Sequence, residues 1–128
     1  MISKISEGVQ ISVETFYEAD FSNIVLNEHT FSYKITIQND NAFPIKLKRR
    51  HWYIFDSNGT LSEVEGEGVV GAQPTLNQGC TYQYASACNL QSEMGTMHGT
   101  YTFENLYNQN MFLVTIPKFS MIVPFKNN

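Results

Sequence analysis

Gly66-Glu67-Gly68-Val69-Val70-Gly71 separates two candidate folds. Followed by a helix, a G-x-G-x-x-G string is the phosphate turn of a dinucleotide-binding α/β fold, with the pyrophosphate resting on free N–H groups at the helix start. Flanked by strands, it is a loop in an all-β protein. The preceding Ser62-Glu63-Val64-Glu65 reads as extended chain, which suits both. The helix is missing: Pro74 falls three residues after the last glycine, Gly79 five further on, and nothing between them repeats at helical spacing. Carboxylates at Glu63, Glu65 and Glu67 also repel a phosphate unless a cation neutralises them. The stretch therefore reads as a glycine loop joining strands. Its glycines permit a tight turn or a close approach of backbone to a ligand.

Outward from this loop the chain alternates with period two. Upstream, Ile45 to Phe55 is a long strand whose apolar phase changes from Ile45 and Leu47 to Trp52 and Ile54, which a bulge near Arg49-Arg50 would reconcile. Asp56-Ser57-Asn58-Gly59 is a hairpin turn, with positive φ angles expected at Asn58 and Gly59. Earlier still, Val9, Ile11 and Val13 form one alternating strand, and Phe31, Tyr33, Ile35 and Ile37 another. Asn39-Asp40-Asn41 turns the chain after the second. Downstream, strands are expected over Cys80–Ser86 and Thr96–Glu104. A further strand holds Phe112, Val114 and Ile116, closed by Pro117, and a last one holds Phe119, Met121 and Val123. On Thr96–Glu104, Met97, Tyr101 and Phe103 share one face, and Thr96, His98, Thr100 and Thr102 the other. Short strands, frequent turns and no amphipathic helix predict an antiparallel β-sandwich of seven to eight strands, filling residues 1–128 as one domain. Trp52 on a central strand and the corner Leu76-x-x-Gly79-x-x-Tyr82 resemble fibronectin type III and immunoglobulin-like domains. Trp52 is expected in the core beside Tyr82 or Tyr84.

Composition narrows the function. A net charge of −4 provides no basic field for nucleic acid, and no apolar run is long enough to cross a membrane. Met1-Ile2-Ser3-Lys4 lacks the apolar core of a signal peptide, so a cytoplasmic location is expected. The strand between Cys80 and Cys88 would hold their Cα atoms about 26 Å apart, against about 5.5 Å in a disulfide, so both read as free thiols.

Few residues carry chemistry. No Gly-x-Ser-x-Gly elbow exists, Cys88 and Ser86 lie by a loop without a defined base, and no catalytic residue is assigned. Glu63, Glu65 and Glu67 would share one side of an extended strand, as a cation-binding row or as a solvated face that discourages edge pairing. Lys46, Lys48 and Arg50, with Arg49 between, would form a basic stripe able to meet a phosphate or an acidic partner, or simply a solvated face. His51, and His98 beside Met94 and Met97, are soft-metal candidates or packing residues, and His29 sits in a loop.

Several blocks are distinctive together. They are Arg50-His51-Trp52-Tyr53-Ile54, Asp56-Ser57-Asn58-Gly59, Glu63-Val64-Glu65-Gly66-Glu67-Gly68-Val69-Val70-Gly71-Ala72-Gln73-Pro74, Met94-Gly95-Thr96-Met97-x-Gly99-x-Tyr101 and Ile116-Pro117-x-Phe119. The chain resembles the ApaG domain over nearly its whole length. The resemblance implies a fibronectin-like sandwich without established enzymatic activity. Its bacterial members are linked with cobalt resistance and magnesium efflux, and related eukaryotic domains with protein binding. The family's glycine motif maps onto Gly66, Gly68 and Gly71 and has been suggested as a pyrophosphate site. Two expectations follow. The first is a non-enzymatic protein-interaction module with a role in magnesium and cobalt homeostasis. The alternative is a small-ligand binder at Gly66–Gly71, taking a divalent cation, pyrophosphate or nucleotide with help from Glu63, Glu65, Glu67, Lys48 and Arg50. No cofactor is expected beyond magnesium accompanying a phosphate ligand.

Overall fold

Alternating apolar residues close two antiparallel sheets over one core. The computed structural model describes residues 1–126. Its strands are β1 (Ile2–Ser6), β2 (Val9–Tyr17), β3 (His29–Asn39), β4 (Ile45–Asp56), β5 (Leu61–Glu67), β6 (Thr75–Leu76), β7 (Thr81–Leu90), β8 (Met94–Asn105) and β9 (Met111–Ile122). One sheet has the order β1-β2-β3-β7 and the other β5-β4-β8-β9, with the short β6 also paired to β4. Single 3-10 turns at Ala19–Phe21 and Pro124–Lys126 are the helical segments among the described residues. The helix a dinucleotide fingerprint would need after Gly71 is replaced by chain leading to β6.

The core takes its residues from alternate positions, because side chains on a strand alternate between faces. Val9, Ile11, Val13, Phe31, Tyr33, Ile35 and Ile37 cover the first sheet, and Leu47, Trp52, Met97, Tyr101, Phe103, Val114, Ile116 and Met121 the second. Trp52 is buried, but its ring neighbours are Tyr33, Tyr101 and Phe119 rather than Tyr82 or Tyr84. Tyr33 reaches it from the facing sheet, since the β3–β7 register pushes Tyr84 one position along to meet the Tyr101 hydroxyl.

Two bulges re-aim the second sheet. In β4–β8 the register shifts between Leu47 and Arg49, leaving Lys48 as the extra residue. Ile45 and Leu47 therefore face inward before it, and Trp52 after it. In β8–β9 the register shifts between Met97 and Gly99. There Pro117 is buried inside a continuous β9 and marks the change of phase from Ile116 to Phe119, instead of ending a strand. β9 is an edge strand, so a residue without an N–H is tolerated.

Other boundaries differ from expectation for local reasons. β1 was not anticipated because its residues are largely exposed and its turn to β2 is built on Glu7 and Gly8, both at positive φ, rather than on Asn-Gly. β7 runs past Ser86 to Leu90, which places Cys88 in a strand, buried. At Asp56–Gly59 only Gly59 has positive φ (98°), so the turn closes with a single left-handed residue. Polar pins hold the sandwich ends. Asn39 Nδ2 donates to the carbonyls of Phe43 and Leu76, both at 3.0 Å, tying β3 to β6. Asp56 accepts from the Gln91 N–H at 2.6 Å and from the Ser92 hydroxyl.

Along one side the sheets are closed, with the Thr115 N–H donating to Ser6 Oγ at 2.9 Å. Along the other, edge strands β5 and β7 leave a cleft.

Replacing Trp52 by Ala removes a buried indole and should cost about 3–5 kcal/mol in urea unfolding; a loss below about 1 kcal/mol would contradict its placement. The thiols should separate: exposed Cys80 reacts at once with a thiol reagent at neutral pH, while Cys88 waits for unfolding. Burial, with the Asp56 charge adding to it, pushes Cys88 from 9.0 up to about 11. A folded value above the unfolded one gives stability present below pH 9.0 and lost as pH rises through about 11. Burial also raises Tyr33, Tyr84 and Tyr101, so alkaline titration should lower the melting temperature steadily. Equal thiol rates, or a flat alkaline profile, would refute this burial.

Candidate functional site

The glycine stretch is a tight hairpin rather than a cradle. Val69 and Ala72 exchange both backbone hydrogen bonds (2.8 and 3.0 Å), with Val70 (φ 46°) and Gly71 (φ 76°) left-handed between them. That is a mirror-image two-residue turn, in which glycine is suited and valine is not. Each glycine has its own steric reason. A β-carbon on Gly68 (φ 63°) would collide with the Ala72 carbonyl oxygen. One on Gly66 would lie 2.9 Å from a guanidinium nitrogen of Arg50. Gly71 supplies the second left-handed residue. The positive φ of Gly68 means that valine there disrupts the loop itself.

The N–H groups of this hairpin are largely committed. Gly68 donates to the Lys48 carbonyl at 2.9 Å, and Val69 and Ala72 to each other. The Gln73 side chain donates to the same Lys48 carbonyl, also at 2.9 Å. Arg50 Nη1 donates to the carbonyls of Glu67 (3.0 Å) and Gly68 (3.1 Å). The N–H groups of Gly68, Val69 and Ala72 are thus used within the protein, with an arginine lashed beneath the hairpin.

The expected site residues divide between two faces. After the Lys48 bulge, Arg50 turns inward with Trp52, while Arg49, His51 and Tyr53 turn outward. Lys48 and Arg50 are therefore not one stripe. Lys48 sits 3.7 Å from Glu104, and Arg49 3.7 Å from Glu65. Glu63 meets His51, with Oε1 2.6 Å from Nε2. The glutamates thus lie across from outward basic residues, on the opposite side of β5 from the cleft. Gly66, Gly68 and Gly71 stay with Arg50; Glu63 and Glu65 do not. Among the described residues no three His, Cys, Asp or Glu side chains converge to hold a metal.

The cleft holds about 540 Å³ and is walled by Tyr33, Trp52, Ile54, Val64, Val69 and Met97, with Ser86–Asn89 of β7 along one lip and Val70 on its rim. Burial raises Tyr33, Tyr84 and Tyr101, while the Arg50 charge pulls all three the other way. A hydrogen bond with Ser86 offsets part of the rise at Tyr33. Phenols and guanidinium thus share one environment.

Three features escaped sequence reasoning. His51, Tyr53 and His98 stack on the outer face, with ring centroids 4.6 and 5.1 Å apart. Only the β4–β8 register, which sets Tyr53 opposite His98, brings them together. Met97, on the inner face, is not beside His98. His29 is buried and links the Tyr17 hydroxyl to Asn27, both at 2.9 Å, a structural role. The turn between β2 and β3 exposes Ile24 (65%), Val25 (92%) and Leu26 (63%) in a row. Three adjacent apolar residues in a turn were the available signal.

The ApaG domain family model matches residues 19–105. A protein named ApaG from Brucella anthropi is 40% identical over 124 residues, covering 97% of this chain and 95% of that one. The crystal structure of an ApaA protein from Bordetella pertussis superposes with a TM-score of 0.87 at 36% identity, covering 91% of this chain and 94% of that one. A segment of Bacteroides uniformis β-glucuronidase, 13% of that chain, matches 92% of this one with a TM-score of 0.52 at 16% identity, a likeness of fold alone.

A β-branched residue held left-handed costs on the order of 1–2 kcal/mol. Val70→Gly should therefore raise stability by about 1 kcal/mol in urea unfolding. A destabilised Val70→Gly protein would show that Val70 makes contacts that outweigh its strain.

Proposed function

The chain belongs to the ApaG domain family, and from that premise we propose that it is a non-enzymatic protein-interaction module whose docking element is the turn Ile24-Val25-Leu26. The observation that carries this is a preformed, exposed apolar tip. Asn23 and Glu28 exchange backbone hydrogen bonds at 2.7 and 2.9 Å, Asn23 Oδ1 accepts from the Leu26 N–H at 3.2 Å, and Asn27 donates to the Gln91 carbonyl at 3.4 Å. Phe21, 76% exposed, flanks the same turn. Exposed contiguous apolar residues mark interaction sites, and a turn already ordered loses little freedom on binding.

The nucleophile candidates favour a binding role. The thiol of Cys88 is buried and raised to about 11, which keeps it protonated at neutral pH. Ser86 lies opposite Tyr33 in the β3–β7 register, and burial raises that phenol, which stays protonated and so is no base for the serine. The role in magnesium and cobalt homeostasis that the family resemblance suggests is then exerted through a partner. Cation-assisted polyphosphate binding at Gly66–Gly71 has less support, because the N–H groups of Gly68, Val69 and Ala72 are donated internally and Glu63 and Glu65 face away. No helix among the described residues is long and apolar enough to cross a membrane.

The test is a triple variant, Ile24→Ser, Val25→Ser and Leu26→Ser. Its melting temperature should stay within about 2 °C of the parent, since these side chains contact solvent. Proteins cross-linked by the parent in its own cell extract should disappear from the variant. Identical cross-linked sets would overturn the assignment of this turn.

A further inference from the structure

We propose that the cleft between β5 and β7 is a binding site for a monocarboxylate carrying a flat apolar body, with Arg50 as the residue that reads the carboxylate. This is a second site, separate from the Ile24–Leu26 turn and from the outward glutamates.

Three observations lead there. The first is Arg50 itself. The bulge at Lys48 carries it into the half-buried wall of the cleft, where no carboxylate lies within salt-bridge distance among the described residues. Its Nη1 serves two backbone carbonyls, and those bonds fix the plane of the guanidinium. A guanidinium has five N–H donors in a rigid fork, so donors remain for an incoming anion. A half-buried charge without a counter-charge gains from one that arrives with a ligand.

The second is the shape and chemistry of the walls. A volume of about 540 Å³ lies within the range of small-molecule sites, and aromatic and aliphatic walls alternate with the polar side chains of Ser62, Ser86 and Asn89. Buried Trp52 and Tyr33 form the floor, half-buried Tyr84 and Ile54 with exposed Val64 offer apolar surface for a planar body, and Ser86 adds a hydroxyl.

The third is Val70. It is a β-branched residue at φ 46°, 66% exposed, on the cleft rim. Asparagine or glycine would form the same turn without strain. An exposed valine kept in a costly conformation is explained if its side chain closes over an apolar ligand.

The charge balance selects the anion. One guanidinium neutralises one negative charge. Among the described residues that line the cleft, Arg50 is the one charged side chain, and the chain as a whole carries a net charge of −4. A dianionic phosphate or a pyrophosphate would enter with surplus charge; a monocarboxylate would not. The carboxylate has two sources, a free small acid or the C-terminus of a peptide, and both present the same fork to Arg50.

The test is an amide-shift titration of the full-length labelled protein with four probes: phenylacetate, phenylacetamide, inorganic pyrophosphate, and N-acetyl-alanyl-phenylalanine with a free C-terminus. Phenylacetate or the dipeptide should shift Ser86–Asn89 and the Trp52 indole N–H saturably, whichever binds tighter naming the source. Phenylacetamide, of the same shape without the charge, should bind at least tenfold more weakly. Arg50→Gln should lose the carboxylate preference. Because that change also frees the hairpin, Val70→Asn is the second variant, expected to weaken binding severalfold with the fold intact. Unmoved cleft resonances with both carboxylates, equal binding of phenylacetamide, or stronger binding of pyrophosphate at the cleft would each overturn the proposal.

Discussion

One extra residue in one strand sets the rest. The bulge at Lys48 breaks the register of β4 against β8, and every side chain beyond it changes face. Without it Trp52 would point to solvent and His51 into the core. With it, Ile45 and Leu47 pack one end of the sandwich and Trp52 the middle, against Tyr33, Tyr101 and Phe119. The freed Lys48 carbonyl then accepts from Gly68 and from Gln73, which fastens the glycine hairpin to the strand it follows. The same change of face carries Arg50 beneath that hairpin. Core, hairpin and cleft thus share one cause.

The three glycines are explained by this arrangement without a ligand. Gly66 leaves room for a guanidinium, Gly68 for a carbonyl, and Gly71 completes a mirror-image turn. The string shares its spacing with nucleotide-binding loops, but the physics differs. A phosphate loop keeps its N–H groups free for the anion. Here those of Gly68, Val69 and Ala72 are bonded within the protein, and the positive charge beside the hairpin comes from a side chain on the neighbouring strand.

Much of the fold was legible because alternation reports which face is buried. The phase change within Ile45–Phe55 even announced the bulge near its true place, and the faces of Thr96–Glu104 were read correctly. What alternation lacks is register. Nothing local says that Tyr53 lies opposite His98, or that Glu63 meets His51, so the outer aromatic stack and the pairing of acids with bases were invisible. Pro117 misled because a proline usually ends a strand, whereas on an edge strand beside a bulge its missing N–H is harmless. Arg50 was named on its charge, as part of a stripe. Its inward turn depended on where the bulge falls, and a shift of one residue decides that.

The measurement that bears most directly on this account is amide hydrogen exchange at Gly68, Val69 and Ala72. If the bulge anchors the hairpin, the Gly68 amide is bonded to Lys48 and the other two to each other. All three should then exchange slowly, with protection approaching that of the β4 amides, and the exposed turn residue Val70 should not. Exchange of Gly68 and Val69 at the rate of an open loop would contradict it, and would leave those N–H groups free to meet an anion.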